Sequence, residues 1–328
     1  MHDSDDIEKI EFVRNTLLLN HFCKIRTLCG EDCPVIPLKG ISLLFSIYKD
    51  YSRNVGDIDL FVFEKDVERF IHLMNIIGYI PRIPGMNKVR IQSKGKLDMI
   101  HRDGKYCDLD IHVNLINKKW FKLSIGDFTS FVLSRLKTVE YKNCNINVLS
   151  NTDEWLYLAQ HYCFHLYSND KWLKDLYLIQ KNFSNKEVNE LITIAQNFHF
   201  ERIVTAVSRR LKNNFPKDEI IIPEMLTKRH LIFDSICSKN LKFAYTFSNR
   251  IIAVYWEFLF IHNCKSRMYA YFHLLFPQWQ ILLDMYRCKL VSGLLLYPVH
   301  GILVLLSSIL FVPILFFNYL RQTPLNRF

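Results

Sequence analysis

Residues 55–63 read Val-Gly-Asp-Ile-Asp-Leu-Phe-Val-Phe, with two acids one residue apart at the start of an apolar stretch. Side chains alternate between the faces of a strand, so this pattern predicts a strand that holds Asp57 and Asp59 on one face, ~7 Å apart. Two neighbouring carboxylates repel each other unless a cation or a shared proton compensates them. This stretch alone is compatible with a divalent-metal site or with a solvent-exposed strand edge.

The sequence around this stretch predicts a domain of mixed helices and strands. Helices are indicated by apolar residues at helical spacing, and the third of them ends at Gly78. Strands are indicated by short apolar or alternating runs, and an Asp-Gly turn at Asp103 separates the last two. The predicted helices cover residues 7–28, 41–48 and 64–77, and the predicted strands cover residues 35–40, 55–63, 88–92, 97–101 and 106–113.

The pattern of the chain changes after residue 115. A hairpin is predicted at 138–149, and the sequence that follows is mostly helical in its apolar spacing. We therefore predict an α+β fold with three parts. These are a catalytic domain at residues 1–149, a helical acceptor or support domain at residues 150–285 and an apolar C-terminal segment at residues 286–328.

The C-terminal segment contains a long stretch without charge. Residues 290–320 include no Asp, Glu, Lys or Arg, and a bilayer core needs ~20 mainly apolar residues. Two alternatives are open: a membrane anchor, or an apolar helical hairpin packed on the protein or in a dimer interface. The charged start lacks a signal peptide and the nine cysteines lack a zinc pattern. We expect a cytoplasmic protein, attached to the cytoplasmic face of the membrane if the stretch is an anchor.

The charge of the chain indicates a partner that carries phosphates. Lys and Arg outnumber Asp and Glu by 42 to 32, which gives a formal net charge of +10. This excess suits a nucleotide, a nucleic acid or an anionic membrane surface. No Arg-rich run is interleaved with aromatic residues, so support for a nucleic-acid groove is weak.

The N-terminal domain carries the residue types that metal-dependent phosphoryl or nucleotidyl transfer needs. Asp57 and Asp59 are the carboxylate pair, and residues 107–112 predict a second strand with acids on one face. Lys39 and Gly40 form a turn before a helix, where backbone amides favour phosphate oxygens. Arg53, four residues before Asp57, is a second candidate phosphate ligand.

The order of these motifs resembles the polymerase-beta-type nucleotidyltransferase superfamily. More narrowly, it is similar to a largely uncharacterised bacterial branch of that superfamily. The resemblance is carried by the Leu-Lys-Gly motif at 38–40, the Arg53-to-Asp59 segment with its Asp-Ile-Asp and the Asp-Ile-His at 110–112. It covers roughly residues 35–180.

The resemblance implies roles for individual residues. Asp57 and Asp59 would hold two Mg²⁺ ions, with Mn²⁺ as an alternative metal, and Asp110 would be the third carboxylate, which activates the acceptor hydroxyl. Asp108 shares the strand face of Asp110 and competes for that role. The nucleotide would be bound by the glycine motif, in which the serine is displaced by one position, and by the arginine: Lys39, Gly40, Ser42 and Arg53.

The activity that the resemblance implies is transfer of a nucleoside monophosphate from an NTP to an acceptor, with release of pyrophosphate. The acceptor is a hydroxyl or a phosphate on a small molecule, a glycan precursor or a protein. Two other functions are open: a catalytically silent module that binds a nucleotide or docks on a partner, and an antitoxin-like enzyme that modifies a protein. The four-residue spacing of His161 and His165 suits either a zinc pair or a helix face turned inward, and His112 would support the carboxylates.

Overall fold

The computed structural model describes residues 2–48, 51–85, 87, 90–91, 95–116, 127–142, 144–165, 169–225 and 296–306, with parts of 268–276. Within these residues the chain divides into two compact units, and the division falls between Ser150 and Asn151. The first unit contains a mixed sheet with helices, and the elements of the second are helices. This arrangement confirms the predicted α+β class.

The first unit is built on a five-stranded sheet. Its helices are α1 (His2–Cys29), α2 (Lys39–Ser46), α3 (Val67–Ile76), which follows a 3-10 turn at Glu64–Asp66, and α4 (Phe128–Leu133). Its strands are β1 (Val35–Leu38), β2 (Ile58–Val62), β3 (Tyr79–Pro81), β4 (Lys96–His101), β5 (Leu109–His112), β6 (Lys137–Tyr141) and β7 (Cys144–Val148). The last two strands form the separate hairpin that the sequence predicts at 138–149.

Strand β2 lies inside the sheet, whose order is β1-β2-β5-β4-β3. It pairs antiparallel with β1 and parallel with β5, and β5 pairs antiparallel with β4. All five residues of β2 are buried, as expected for a strand with neighbours on both sides and apolar contacts on its faces. The pairing places three acids, Asp59, Asp110 and Asp98, in one cross-strand row.

Helix α1 holds the loop that precedes β2. Its inner face buries Leu19, Phe22 and Ile25. On the same helix the Asn15 side-chain amide donates to the carbonyl oxygens of Tyr51 and Arg53, at 2.6 Å in each case. The loop therefore reaches β2 from a fixed position on the helix.

The second unit contains α5 (Asn151–Phe164), α6 (Asp170–Lys181), α7 (Asn185–Asn197) and α8 (Glu201–Asn214). Helix α5 is buried along most of its length, and its Trp155 indole N–H donates to the carbonyl oxygen of Leu176 at 3.2 Å. A capping box joins Ser184 and Glu187 at the start of α7, which satisfies two backbone N–H groups at that helix end.

One predicted strand is wrong where it can be compared with the structure. Arg90 and Ile91, inside the strand predicted at 88–92, are helical. The Ile91 carbonyl accepts from the amide of Gly95, four residues on, at 2.9 Å. Arg90 is buried and donates to Asp98 at 2.7 Å. A side-chain ion pair and a local turn thus take the place of a strand ladder at this position.

The apolar stretch at 290–320 lies largely outside the described residues. Residues 296–306 form a helical segment in which His300 and Val304 are buried. Of the helices that the structure describes, none combines the length and the apolar character needed to cross a bilayer.

Candidate active site

The sheet brings two acids together at its centre. Asp59 on β2 and Asp110 on β5 are register partners in the parallel pair, so their side chains lie on the same face. His112, two residues after Asp110, shares this face. One carboxylate oxygen of each acid and a ring nitrogen of the histidine lie within 4.8 Å of one another. This cluster, Asp59–Asp110–His112, is the only metal-like group of three ligands within the described residues.

The ammonium group of Lys39 lies within this cluster. Lys39 Nζ is 2.5 Å from Asp59 Oδ1, 3.8 Å from Asp110 Oδ2 and 3.4 Å from His112 Nε2. The lysine follows Leu38, the register partner of Asp59 on β1, and its φ of +50° lies in the left-handed region. A lysine in that conformation is strained unless its surroundings hold it there. Here the buried carboxylates hold the side chain.

Opposite charges in the cluster stabilise each other's ionised forms. Burial acts to raise the pKa values of Asp59 and Asp110, but Lys39 and His112 outweigh it and hold both pKa values below the usual range. Burial and the Lys39 charge act to lower the pKa of His112, and the two carboxylates outweigh them and raise it. Two ionised carboxylates are therefore kept in a buried place by the cations between them.

A second group of charged residues lies beside Asp110, and the sequence analysis did not predict it. Lys96 Nζ lies 3.1 Å and 3.2 Å from the two oxygens of Asp110 and 3.5 Å from Asp98 Oδ1. Asp98 in turn accepts from Arg90. The alternation of side chains along β4 could have predicted this group, since it places Lys96 and Asp98 on one strand face.

Gly40 lies where a side chain would not fit. A Cβ at this position would overlap the Arg53 guanidinium and come within 3.1 Å of a Val55 methyl group. Arg53 is itself buried, so the absence of a side chain at Gly40 is what lets the guanidinium approach the start of α2. The predicted nucleotide ligands Lys39, Gly40 and Arg53 thus meet at one place. Ser42 is buried in the same helix.

Asp57 differs from Asp59 in its surroundings. It precedes β2, which begins at Ile58, and its side chain is exposed. Neighbouring protein still raises its pKa, first by partial desolvation and then through the negative charge of Asp59. The predicted pair therefore consists of a buried carboxylate, Asp59, and an exposed carboxylate at the rim, Asp57. Asp57 lies outside the cluster of three ligands.

Asp108 is placed differently from Asp110. It is half exposed and forms an ion pair with Arg82, away from the cross-strand row. The rings of His161 and His165 lie 4.3 Å apart and pack on Trp172. Within the part of the chain that the structure describes, these two histidines belong to no group of three metal ligands.

The cluster suits a divalent cation. Carboxylate oxygens are the ligands that Mg²⁺ and Mn²⁺ prefer, while an imidazole nitrogen suits softer metals such as Zn²⁺ and Fe²⁺. Lys39 Nζ, at 2.5 Å from Asp59, shows that the ligands already accommodate a positive charge. Asp59, Asp110 and His112 form a buried group that could bind a metal ion.

Of the comparisons with known proteins, one identifies a family for this chain. Comparison with curated proteins finds no match. The sequence pattern of a family described as uncharacterised nucleotidyltransferases matches residues 7–216, which include the sheet, the cluster and the helices of the second unit as far as α8. A nucleotidyltransferase takes an NTP as its substrate and transfers its nucleotidyl group. The chain belongs to this family of uncharacterised nucleotidyltransferases.

Proposed function

We propose that the protein is a Mg²⁺-dependent nucleotidyltransferase that moves a nucleoside monophosphate from an NTP to a hydroxyl or phosphate acceptor. The bond between the α-phosphorus and its bridging oxygen would break, pyrophosphate would leave, and the acceptor oxygen would bond to phosphorus and lose its proton if it is a hydroxyl. The observation that carries the proposal is the register pairing of Asp59, which is buried, with Asp110 across the parallel strands.

The carboxylates would hold the metal, with Asp57 completing the set from the rim. Bound Mg²⁺ would neutralise triphosphate charge and favour attack on the α-phosphorus. Asp59 and Asp110 suit this role because their lowered pKa values keep them ionised. Asp57 is exposed, so an acceptor can reach it.

The cations and the glycine turn would hold the triphosphate. Arg53 lies against Gly40 at the start of α2, where backbone amides favour phosphate oxygens. Lys39 is bound to Asp59 in this structure, and a change of rotamer would free its ammonium group for the phosphates of a nucleotide held at the same turn. Ser42, which the sequence also predicts as a ligand, is buried and would contribute only through a shift of α2.

Changing Asp57 and Asp59 together to asparagine should abolish Mg²⁺-dependent release of pyrophosphate from NTP. The change nearly preserves side-chain volume, and Lys39, which loses its partner Asp59, keeps Asp110 at 3.8 Å, so the chain should still fold, with a lower free energy of unfolding. Pyrophosphate release is the measurement, and circular dichroism checks the fold. Asp103→Asn with Asp32→Asn, a pair of changes at exposed acids, is the control and should keep the activity. Undiminished release in the folded double variant at 57 and 59 would refute the proposal.

A further inference from the structure

A large cavity of about 1010 Å³ lies on the outer side of α1 in the first unit. It is formed by one face of the helix and by the segment 105–107 that precedes β5. Its volume is at the upper end of the range for small-molecule sites, which runs from about 300 to 1,000 Å³. The cavity is separate from the Asp59–Asp110–His112 cluster, and no step described so far uses it.

The helix side of the cavity is apolar and exposed. Ile10, Val13 and Leu17 recur at helical spacing and are 66%, 57% and 63% exposed. An apolar stripe of this size that remains in contact with water is unfavourable, at about 25 cal/mol per Å². Covering this stripe with the apolar part of a ligand would therefore be favourable.

The rim of the cavity is positively charged. Lys9, Arg14, Lys24 and Lys105 line it, and the described lining residues include no carboxylate. His21, also in the lining, adds no charge at neutral pH, since burial and the Lys24 charge lower its pKa to about 4. Four cations around an apolar floor complement a molecule that has an apolar body and an anionic group.

The cavity ends beside the rim carboxylate of the active site. Arg14, in its lining, donates to Asn54 at 3.3 Å and lies about 4.0 Å from the position a Cβ would take at Gly56. Cys107, also in the lining, is next to Asp108, whose carbonyl oxygen accepts from the amide of Ile58, the residue after Asp57, at 3.1 Å. The segment 54–57 therefore forms the boundary between the cavity and the carboxylates.

We propose that this cavity binds an anionic amphiphile, an apolar chain carrying a phosphate group, and presents it as the acceptor to the Asp57 side of the active site. Arg14, which lies next to Gly56, holds the phosphate at the Asp57 end, the other cations add to the positive potential of the rim, and the apolar stripe on α1 holds the chain. The acceptor role rests on the proposed nucleotidyl transfer, whereas binding of the amphiphile does not.

Calorimetric titration of the full chain with dodecyl phosphate, below its micelle concentration, tests the binding. Dodecyl maltoside, with the same apolar chain and no charge, and inorganic phosphate, with the charge and no chain, are the comparison probes. Dodecyl phosphate should bind saturably, and each of the other two should bind at least about tenfold more weakly. Absence of saturable binding, or equal binding of the maltoside, would overturn the proposal.

Substitutions inside the cavity, each paired with a control substitution outside it, test where the ligand binds. Leu17→Asn should weaken dodecyl phosphate binding about tenfold, while Ile76→Asn, at an equally exposed position on α3, should leave it unchanged. Lys24→Gln should weaken binding more at low salt than at high salt, and Lys65→Gln, an exposed lysine outside the cavity, should not. Equal effects of each variant and its control would overturn the assignment of the ligand to this cavity.

A competition experiment separates the acceptor role from nucleotide binding. If the cavity holds the acceptor, Mg²⁺ and NTP should leave dodecyl phosphate binding intact, and the Asp57→Asn, Asp59→Asn variant should still bind the amphiphile. Mutual exclusion of NTP and dodecyl phosphate would overturn the acceptor role, since it would assign the cavity to the nucleotide. If the Asp57→Asn, Asp59→Asn variant has lost turnover but still binds dodecyl phosphate, binding of the amphiphile does not depend on nucleotidyl transfer.

Discussion

Asp110→Asn is expected to lower Mg²⁺-dependent NTP turnover at least about a hundredfold, whereas Asp108→Asn should leave it within about threefold. The two acids are two residues apart on the same strand segment, and the sequence favours neither on chemistry alone. In the structure Asp110 lies in register with Asp59 and near Lys39, while Asp108 is half exposed and paired with Arg82. Of these two acids, it is therefore Asp110 that is placed to share a metal with Asp59.

The measurement is the initial rate of pyrophosphate release, with each variant checked by circular dichroism. Asp108→Asn is the matched control because it makes the same chemical change at the residue that immediately precedes β5. It breaks an exposed ion pair, which stabilises a protein by about 0–1 kcal/mol. Equal losses of turnover in the two variants, or a larger loss in Asp108→Asn, would contradict the assignment of the third carboxylate to Asp110.

Lys39→Met is expected to lower the free energy of unfolding of the metal-free protein by about 3–5 kcal/mol. The ammonium is nearly buried between Asp59, Asp110 and His112. Methionine keeps most of the side-chain volume but leaves Asp59 without its closest cation and removes one of the two lysines beside Asp110. A buried charge that has lost its partner is costly, so the change acts mainly through electrostatics.

Mn²⁺ should restore part of this stability, and it should stabilise Lys39→Met more than the wild-type chain. In the variant a metal ion meets no competing ammonium, and a ligand that binds only the folded state raises its stability. Urea unfolding of the full chain, with and without Mn²⁺, measures the effect, and hydrogen exchange over residues 58–62 localises it. Lys96→Met, at a lysine whose side chain is 31% exposed, is the control and should lose about 1 kcal/mol or less. Equal stabilisation of wild type and variant by Mn²⁺ would refute a metal at the position of the ammonium.

Local sequence patterns predicted much of the sheet and its key acids. Alternation identified the strand of Asp59, and the second acidic strand was found from the Asp110 and His112 motif. The glycine turn and the later hairpin were also found, because each depends on residues close together in the chain. The prediction that Asp57 lies on the strand with Asp59 was wrong, since β2 begins at Ile58 and Asp57 remains exposed at its edge.

The interactions between distant residues were not predictable in the same way. Lys96 reaches Asp110 only because β4 and β5 pair in a particular register, and that register depends on how the connection at residues 102–108 folds. Lys39 was expected to bind phosphate, yet it pairs with Asp59 across two strands. The fit of Arg53 against Gly40 depends on where α1 holds the loop. These contacts depend on tertiary packing, which cannot be predicted from the spacing of apolar residues or from amino-acid composition.

The position of the label that moves from NTP distinguishes nucleotidyl transfer from other phosphate chemistry. A nucleotidyltransferase retains the α-phosphorus on its acceptor and releases the β- and γ-phosphorus as pyrophosphate, whereas a kinase transfers the γ-phosphorus. A cell lysate supplies candidate acceptors, and separation into protein, nucleic acid, glycan and lipid fractions identifies the class that receives the label.

The most direct test is therefore to incubate the purified chain with lysate, Mg²⁺ and each of the four NTPs, labelled with ³²P at the α or at the γ position. We expect the chain to add label from at least one α-³²P NTP to an acceptor above the level in lysate without the chain, to add no γ-³²P label above that level, and to lose the added α-label with Asp110→Asn. Added γ-label, or added α-label that persists in Asp110→Asn, would contradict nucleotidyl transfer at this cluster of carboxylates.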